Sequence, residues 1–249
     1  VTLLISIFGQ ASSAFSRHVL SYDLNIEASY VDPDGTRDPD EIARNVSGFN
    51  LMLQDQLADE FLPEDADRNV QRELYGMFTR LAVLPIARAT ADSPETIGSE
   101  QIFNVALADD IDLFLKGGVS ARKSIEIGEV AAGEGAIESG VTLTLASQDA
   151  TEKLGATLTE LTRTDVDNAP AVALIKAGNT WYRLEGSEDR NLSLTYLAGP
   201  RMLPSNGAAT EALVLAQSQE NRTVTDRQIA WTEILRAQGR IKSKINTTL

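Results

Sequence analysis

The sequence predicts an α+β fold: N-terminal helices packed on a curved, mostly antiparallel sheet, followed by a C-terminal helix. Apolar residues recur at spacings of three and four between Ile42 and Gly117, and alternate with polar neighbours from Arg122 to Tyr196. Helices grouped ahead of strands, instead of alternating with them, indicate α+β and not a parallel α/β sheet.

The chain has 249 residues, of which 43% are hydrophobic and 23% charged. That is ordinary globular composition and supplies a sizeable core. The net charge of −14 opposes binding to nucleic acid or anionic membrane. Residues 221–249 carry +4, leaving −18 on the rest, so the C-terminal segment reads as a solvated basic helix or as a docking arm toward another copy of the chain. With no cysteine there is no disulfide, thiolate nucleophile or cysteine metal site.

Residues 1–14 read as a signal peptide. The apolar run from Leu3 to Phe8 is followed by Ser12 and Ala14 at the −3 and −1 positions of a small-x-small cleavage site, although no basic residue precedes Arg17. The other reading is an apolar first strand or helix of the mature fold. No run is long enough to span a membrane.

Residues 15–90 form a strand plus a helical region. Leu20, Tyr22, Leu24, Ile26, Ala28 and Tyr30 alternate as a strand with one buried face, ending at the turn Asp32-Pro33-Asp34-Gly35. Asp38, Pro39 and Glu41 then start a helix that carries Ile42, Val46, Phe49, Leu53, Leu57 and Phe61 as one stripe. A second helix spans about 65–84, with Val70, Leu74, Met77, Phe78 and Leu81 on its stripe and Pro85 as its stop. Residues 90–99 read as a linker.

Residues 97–200 form the helix-plus-sheet domain. Ile102, Ala106, Ile111 and Phe114 suggest a helix ending at Gly117-Gly118. Alternation then marks strands at Ile125 and Ile127, Val141 to Leu145, Leu154 to Leu158, Val172 and Leu174, Trp181 to Leu184, and Leu192 to Tyr196. Ala177-Gly178-Asn179 reads as a hairpin turn. Residues 208–249 form a C-terminal helical segment: Leu213, Val214 and Ala216 open one piece, and Thr225 to Gln228 is a capping box for another.

The outline of residues 102–184 is a helix ending Phe114-Leu115-Lys116-Gly117, several antiparallel strands, and the hairpin Ala173 to Leu184 with its Trp181-Tyr182 pair. It resembles the nuclear-transport-factor-two-like (cystatin-like) superfamily of cone-shaped α+β domains. The resemblance implies a curved sheet around a pocket, in a superfamily holding both enzymes and binding domains. The acid-base histidine of its enzymatic members has no counterpart here.

Four constellations are candidates for chemistry. With Gly35 at the sixth place of a calcium loop, Asp32, Asp34, Asp38 and Glu41 fall at ligand places three, five, nine and twelve. Tyr30 at place one and Arg37 at place eight depart from that pattern, and the same carboxylates suit a turn and a helix cap. Asp109 and Asp112 lie on neighbouring helical turns and read as a cation or acid-base pair, or as a solvated face. His18, the single histidine, reads as incidental. Trp181, Tyr182 and Tyr196 are candidates to line the mouth of a curved sheet and grip an apolar ligand, or else pack the hairpin. No nucleophile elbow or phosphate loop is present, and no cofactor is expected beyond calcium at residues 32–41. Asn45, Asn191, Asn221 and Asn246 head glycosylation-acceptor triplets.

The expected function is that of a non-enzymatic exported domain, periplasmic or secreted, binding a small ligand or protein partner. The alternatives are a structural subunit of a homo-oligomeric assembly, built through the basic C-terminal helix, and a hydrolase using two carboxylates.

Overall fold

The computed structural model describes residues 16–163 and 170–245. The signal-peptide reading of residues 1–14 and the Asn246 acceptor lie outside them. In chain order the elements are β1 (Ser16–Asn25), α1 (Ala28–Val31), α2 (Pro39–Arg44), α3 (Val46–Phe61), α4 (Arg68–Tyr75), α5 (Leu84–Asp92), β2 (Glu100–Ala106), α6 (Asp109–Leu115), β3 (Arg122–Ala136), β4 (Gly140–Leu145), α7 (Gln148–Thr162), β5 (Val172–Ala177), β6 (Thr180–Glu188), β7 (Asn191–Ala198), β8 (Ala209–Leu215), α8 (Asp226–Ala237) and β9 (Ile241–Ile245). The class is α+β, with antiparallel pairing throughout both sheets. No helix among the described residues is long and apolar enough to cross a membrane.

The chain divides into two compact units, residues 1–112 with 235–249, and residues 113–234. Residues 97–112, expected to open the sheet domain, fall in the first unit.

In the first unit β1 is the middle strand of a three-stranded sheet, in the order β2-β1-β9. The alternation of Leu20, Tyr22, Leu24 and Ile26 works as expected: all are buried. The strand stops at Asn25, and Ala28–Val31 turns into the short α1. The expected single helix through Ile42 and Phe61 is broken at Asn45. Its side chain accepts from Gly48 N–H (3.0 Å) as the cap of α3 and donates to the carbonyls of Tyr30 (2.8 Å) and Val31 (3.1 Å). Capping bonds of this kind outcompete helix continuation. Gly48 permits the approach, since a Cβ there would lie 2.0 Å from the Tyr30 oxygen.

The expected helix over 65–84 is also two elements. α4 ends at Gly76, and Pro85 opens α5 in its first turn instead of stopping the preceding helix, a place where its missing N–H costs nothing. The expected helix at Ile102 is strand β2, with Ile102 exposed, and only Asp109–Leu115 is helical.

The second unit corrects the expected open, curved sheet. Six strands close into a barrel in the order β3-β4-β7-β6-β5-β8, with β8 bonded to both β5 and β3. Val141, Leu143 and Leu145, Leu192 and Leu194, and Tyr182 point into one cluster, as period two dictates. β3 is bulged at Gly128, which holds φ +99°, and again near Val130. Bulges of this kind bend a strand enough to close a sheet on itself.

Two elements differ in type from expectation. Residues 148–162 form helix α7 and not a strand; Ser147 caps it and Ala150, Leu154 and Leu161 join the barrel's interior cluster. A helix inserted between β4 and β5 therefore packs on the barrel's apolar cluster. Residues 209–215 form β8 and not a helix. Both faces of β8 are buried, Ala212 and Val214 inward and Leu213 and Leu215 outward, so its apolar run carries no period. The Thr225 capping box forms reciprocally, Thr225 N–H to Gln228 (3.0 Å) and Gln228 N–H to the Thr225 hydroxyl (3.2 Å). The helix it opens ends at Ala237, and the basic residues beyond it run into β9 rather than a longer helix.

Candidate ligand-binding cavity

The sequence-derived candidates occupy separate places. Asp32 accepts from the N–H groups of Thr36 and Arg37 (both 3.1 Å), which closes the turn. Asp38 caps α2 through Asp40 N–H (2.8 Å) and Glu41 N–H (3.1 Å), and Glu41 accepts from the Thr36 hydroxyl (2.8 Å). Asp34 is exposed. Among the described residues no group of three or more His, Cys, Asp or Glu is gathered so as to hold a metal ion.

Asp109 pairs with Arg17 at 2.8 Å. Asp112 accepts from both the backbone N–H and ring Nδ1 of His18, each at 2.8 Å. His18 is thus a paired residue of β1, which sequence spacing had not indicated.

The structure brings Tyr182 and Tyr196 together and sets Trp181 apart. The two tyrosines are cross-strand partners with rings 6.3 Å apart and edge-to-face, a contact worth about 0.5–1.5 kcal/mol. Tyr196 donates to the Gly199 carbonyl (2.6 Å). Tyr182 is fully buried in the interior cluster, and burial pushes its phenol up to about 12. Trp181, next to it at a β6 bulge, is buried outside that cluster. These aromatics pack the barrel.

A cavity of about 650 Å³ lies elsewhere, in the first unit. Its walls follow from helical spacing. Asn50, Leu53, Gln54 and Leu57 recur at i, i+3, i+4 and i+7 on α3, and Arg68, Gln71, Arg72 and Tyr75 recur identically on α4. Gly76 ends α4, and the segment through Phe78, Thr79 and Arg80 completes the lining. Phe78 is fixed by a bridge to Leu107, and Thr79 N–H donates to the Ala106 carbonyl (3.1 Å).

Three of the thirteen lining residues are arginines and none is acidic. Among the described residues the side chains of Arg68, Arg72 and Arg80 make no hydrogen bond or ion pair, and all three are exposed to solvent. Tyr75 is half-buried. Its phenol is raised by that burial and then by the carboxylates of Asp55 and Asp59, which stand on α3 outside the lining. The charged groups of the lining are therefore all cationic.

The apolar stripe of the second expected helix does not point to this cavity, whose α4 wall is built from other residues. The signal present was Arg68, Gln71, Arg72 and Tyr75 at one-face spacing in a chain with 36 acids against 22 bases. No curated protein and no solved structure matches the chain. Residues 1–124, a stretch that contains the whole cavity lining, match the family described as a domain of unknown function (DUF3333).

Proposed function

We propose that this chain is a non-enzymatic, soluble, exported domain that binds a small ligand or a protein partner, with the cavity between α3 and α4 as its binding site. The observation that carries this is the cavity itself. Its volume falls within the range of small-molecule sites, and amide, hydroxyl and guanidinium groups converge on it from two helices and a turn. Of the two occupants, a concave site of this size favours the small ligand.

Other features support the reading. The lining has no carboxylate, so a two-acid hydrolysis has no seat in it. The basic tail expected to dock between copies makes bonds inside its own unit: Arg240 binds Glu60, and β9 pairs with β1. Export to the periplasm or the exterior rests on the Ser12 and Ala14 spacing, and the net charge argues against nucleic acid as partner. The resemblance to the cone-shaped superfamily is carried forward on the β5–β6 hairpin.

The test is amide chemical-shift mapping with small metabolites of both charges and neutral ones. Gln71, Tyr75 and Thr79 are expected to shift together with at least one compound. A panel in which no compound of any charge moves them rejects the site.

A further inference from the structure

We infer that the cavity's occupant is a small polyanion, an organic molecule carrying two or more carboxylate or phosphate charges. This deepens the ligand-binding reading above and rests on it.

Charge placement is the first argument. The chain holds 36 acids and 22 bases, yet the lining takes three arginines and no acid. Here the three guanidiniums meet no carboxylate among the described residues. Arg68 and Arg72 stand four apart on α4, and like charges at that spacing repel. A bound anion removes that repulsion.

Geometry is the second. Guanidinium is a planar fork that meets a carboxylate or phosphate through two parallel N–H bonds, and three forks around one space suit more than one oxyanion group. The cavity, about 650 Å³, is far larger than a single inorganic anion. Asn50, Gln54 and Gln71 supply donors and acceptors for the rest of the molecule, and the ring of Phe78 gives an apolar wall. The anionic groups lie toward Arg68, Arg72 and Arg80, the charged members of the lining.

The experiment is titration calorimetry with citrate, glucose 6-phosphate and glucose at about 20 mM and about 300 mM sodium chloride. At least one of the two anions is expected to bind with Kd below about 1 mM at low salt and to weaken roughly tenfold at high salt. Which anion binds separates a carboxylate ligand from a phosphate ligand. Arg72→Gln and Arg80→Gln each weaken that binding about tenfold or more while keeping the parent's thermal midpoint, and Arg88→Gln, an exposed arginine of α5 outside the lining, leaves it unchanged. The inference is overturned if neither anion binds below about 10 mM at low salt, or if the Arg72→Gln/Arg80→Gln double variant binds as tightly as the parent. If glucose shifts the lining amides while both anions fail, the polyanion assignment falls and the ligand-binding reading stands. If none of the three moves them, and the wider panel also fails, both fall.

Discussion

Arg222 donates to Asp226 four residues on, with both side chains withdrawn from water, at 0% and 2% exposure. The guanidinium also donates to the carbonyls of Ser218 (3.2 Å) and Val224 (3.3 Å), and Arg183 stands 3.9 Å from the second Asp226 oxygen. Removing the acid leaves a buried cation without its counter-charge. Asp226→Ala is therefore expected to cost about 3–5 kcal/mol, and Asp226→Asn less, as read from urea unfolding. A loss below about 1 kcal/mol for the alanine variant would contradict this account.

The approach of Gly48 to Tyr30 gives a second expectation. A Cβ at 2.0 Å from a backbone oxygen cannot be relieved by rotating a side chain, so α1 or α3 must shift. Gly48→Ala should lower stability by roughly 2 kcal/mol or more, against the usual gain from alanine in a helix. A variant that melts at or above the parent would disprove the clash.

Tyr182 combines a stability and a pH expectation. Its hydroxyl is buried without a hydrogen bond of normal geometry, so Tyr182→Phe should be neutral or stabilise by up to about 1 kcal/mol near neutral pH. The folded phenol is raised to about 12 from an unfolded value near 10, chiefly by burial, with Thr180 pulling the other way. An acid with a raised folded value stabilises fully below its unfolded value and loses that contribution as pH rises through the folded one. The parent should thus weaken between about pH 10 and about pH 12, by on the order of 2–3 kcal/mol from this group, and the phenylalanine variant should weaken less. Tyr22 is shifted the same way by burial, so part of the alkaline slope remains. Parallel slopes for the two proteins would refute the assignment.

Arg240 holds β9 from its own unit: it binds Glu60 through two nitrogens, and its guanidinium lies 5.4 Å from the Tyr22 ring and 5.8 Å from the Phe61 ring. The pair is partly solvated and screened, so Arg240→Ala should cost only about 1–2 kcal/mol. Arg240→Lys should fall between, because lysine keeps charge and loses fork and stacking. Hydrogen exchange at Lys242 and Lys244 is the local readout: amides of β9 should open faster in the alanine variant.

Legibility from sequence followed period and ran out where period vanished. Leu20 to Ile26, Val141 to Leu145 and the Ala177-Gly178-Asn179 turn were readable, because one face is buried and the other is not. β8 was not, since Leu213 and Leu215 are buried as well as Ala212 and Val214. α7 was misread because Leu154 and Leu158 satisfy a helical spacing as well as an alternating one. Barrel closure depends on β8 meeting β3, a long-range pairing that no local window contains. The acids of residues 32–41 were legible as turn and cap formers. The cavity was not, because its arginines come from one helix face and a later turn that only the fold brings together.

The pairing of Arg122 with Leu215, and of Ser16 with Ile245, has a temporal meaning. A ribosome adding about 5–20 residues per second delivers β8 on the order of 5–20 s after β3, and β9 on the order of 10–50 s after β1. Throughout that interval the early strands present bare N–H and C=O rows beside apolar side chains, the condition under which nascent chains stick to one another. Each sheet waits for its late strand before its hydrogen bonding is complete, so the early strands need shielding over that interval.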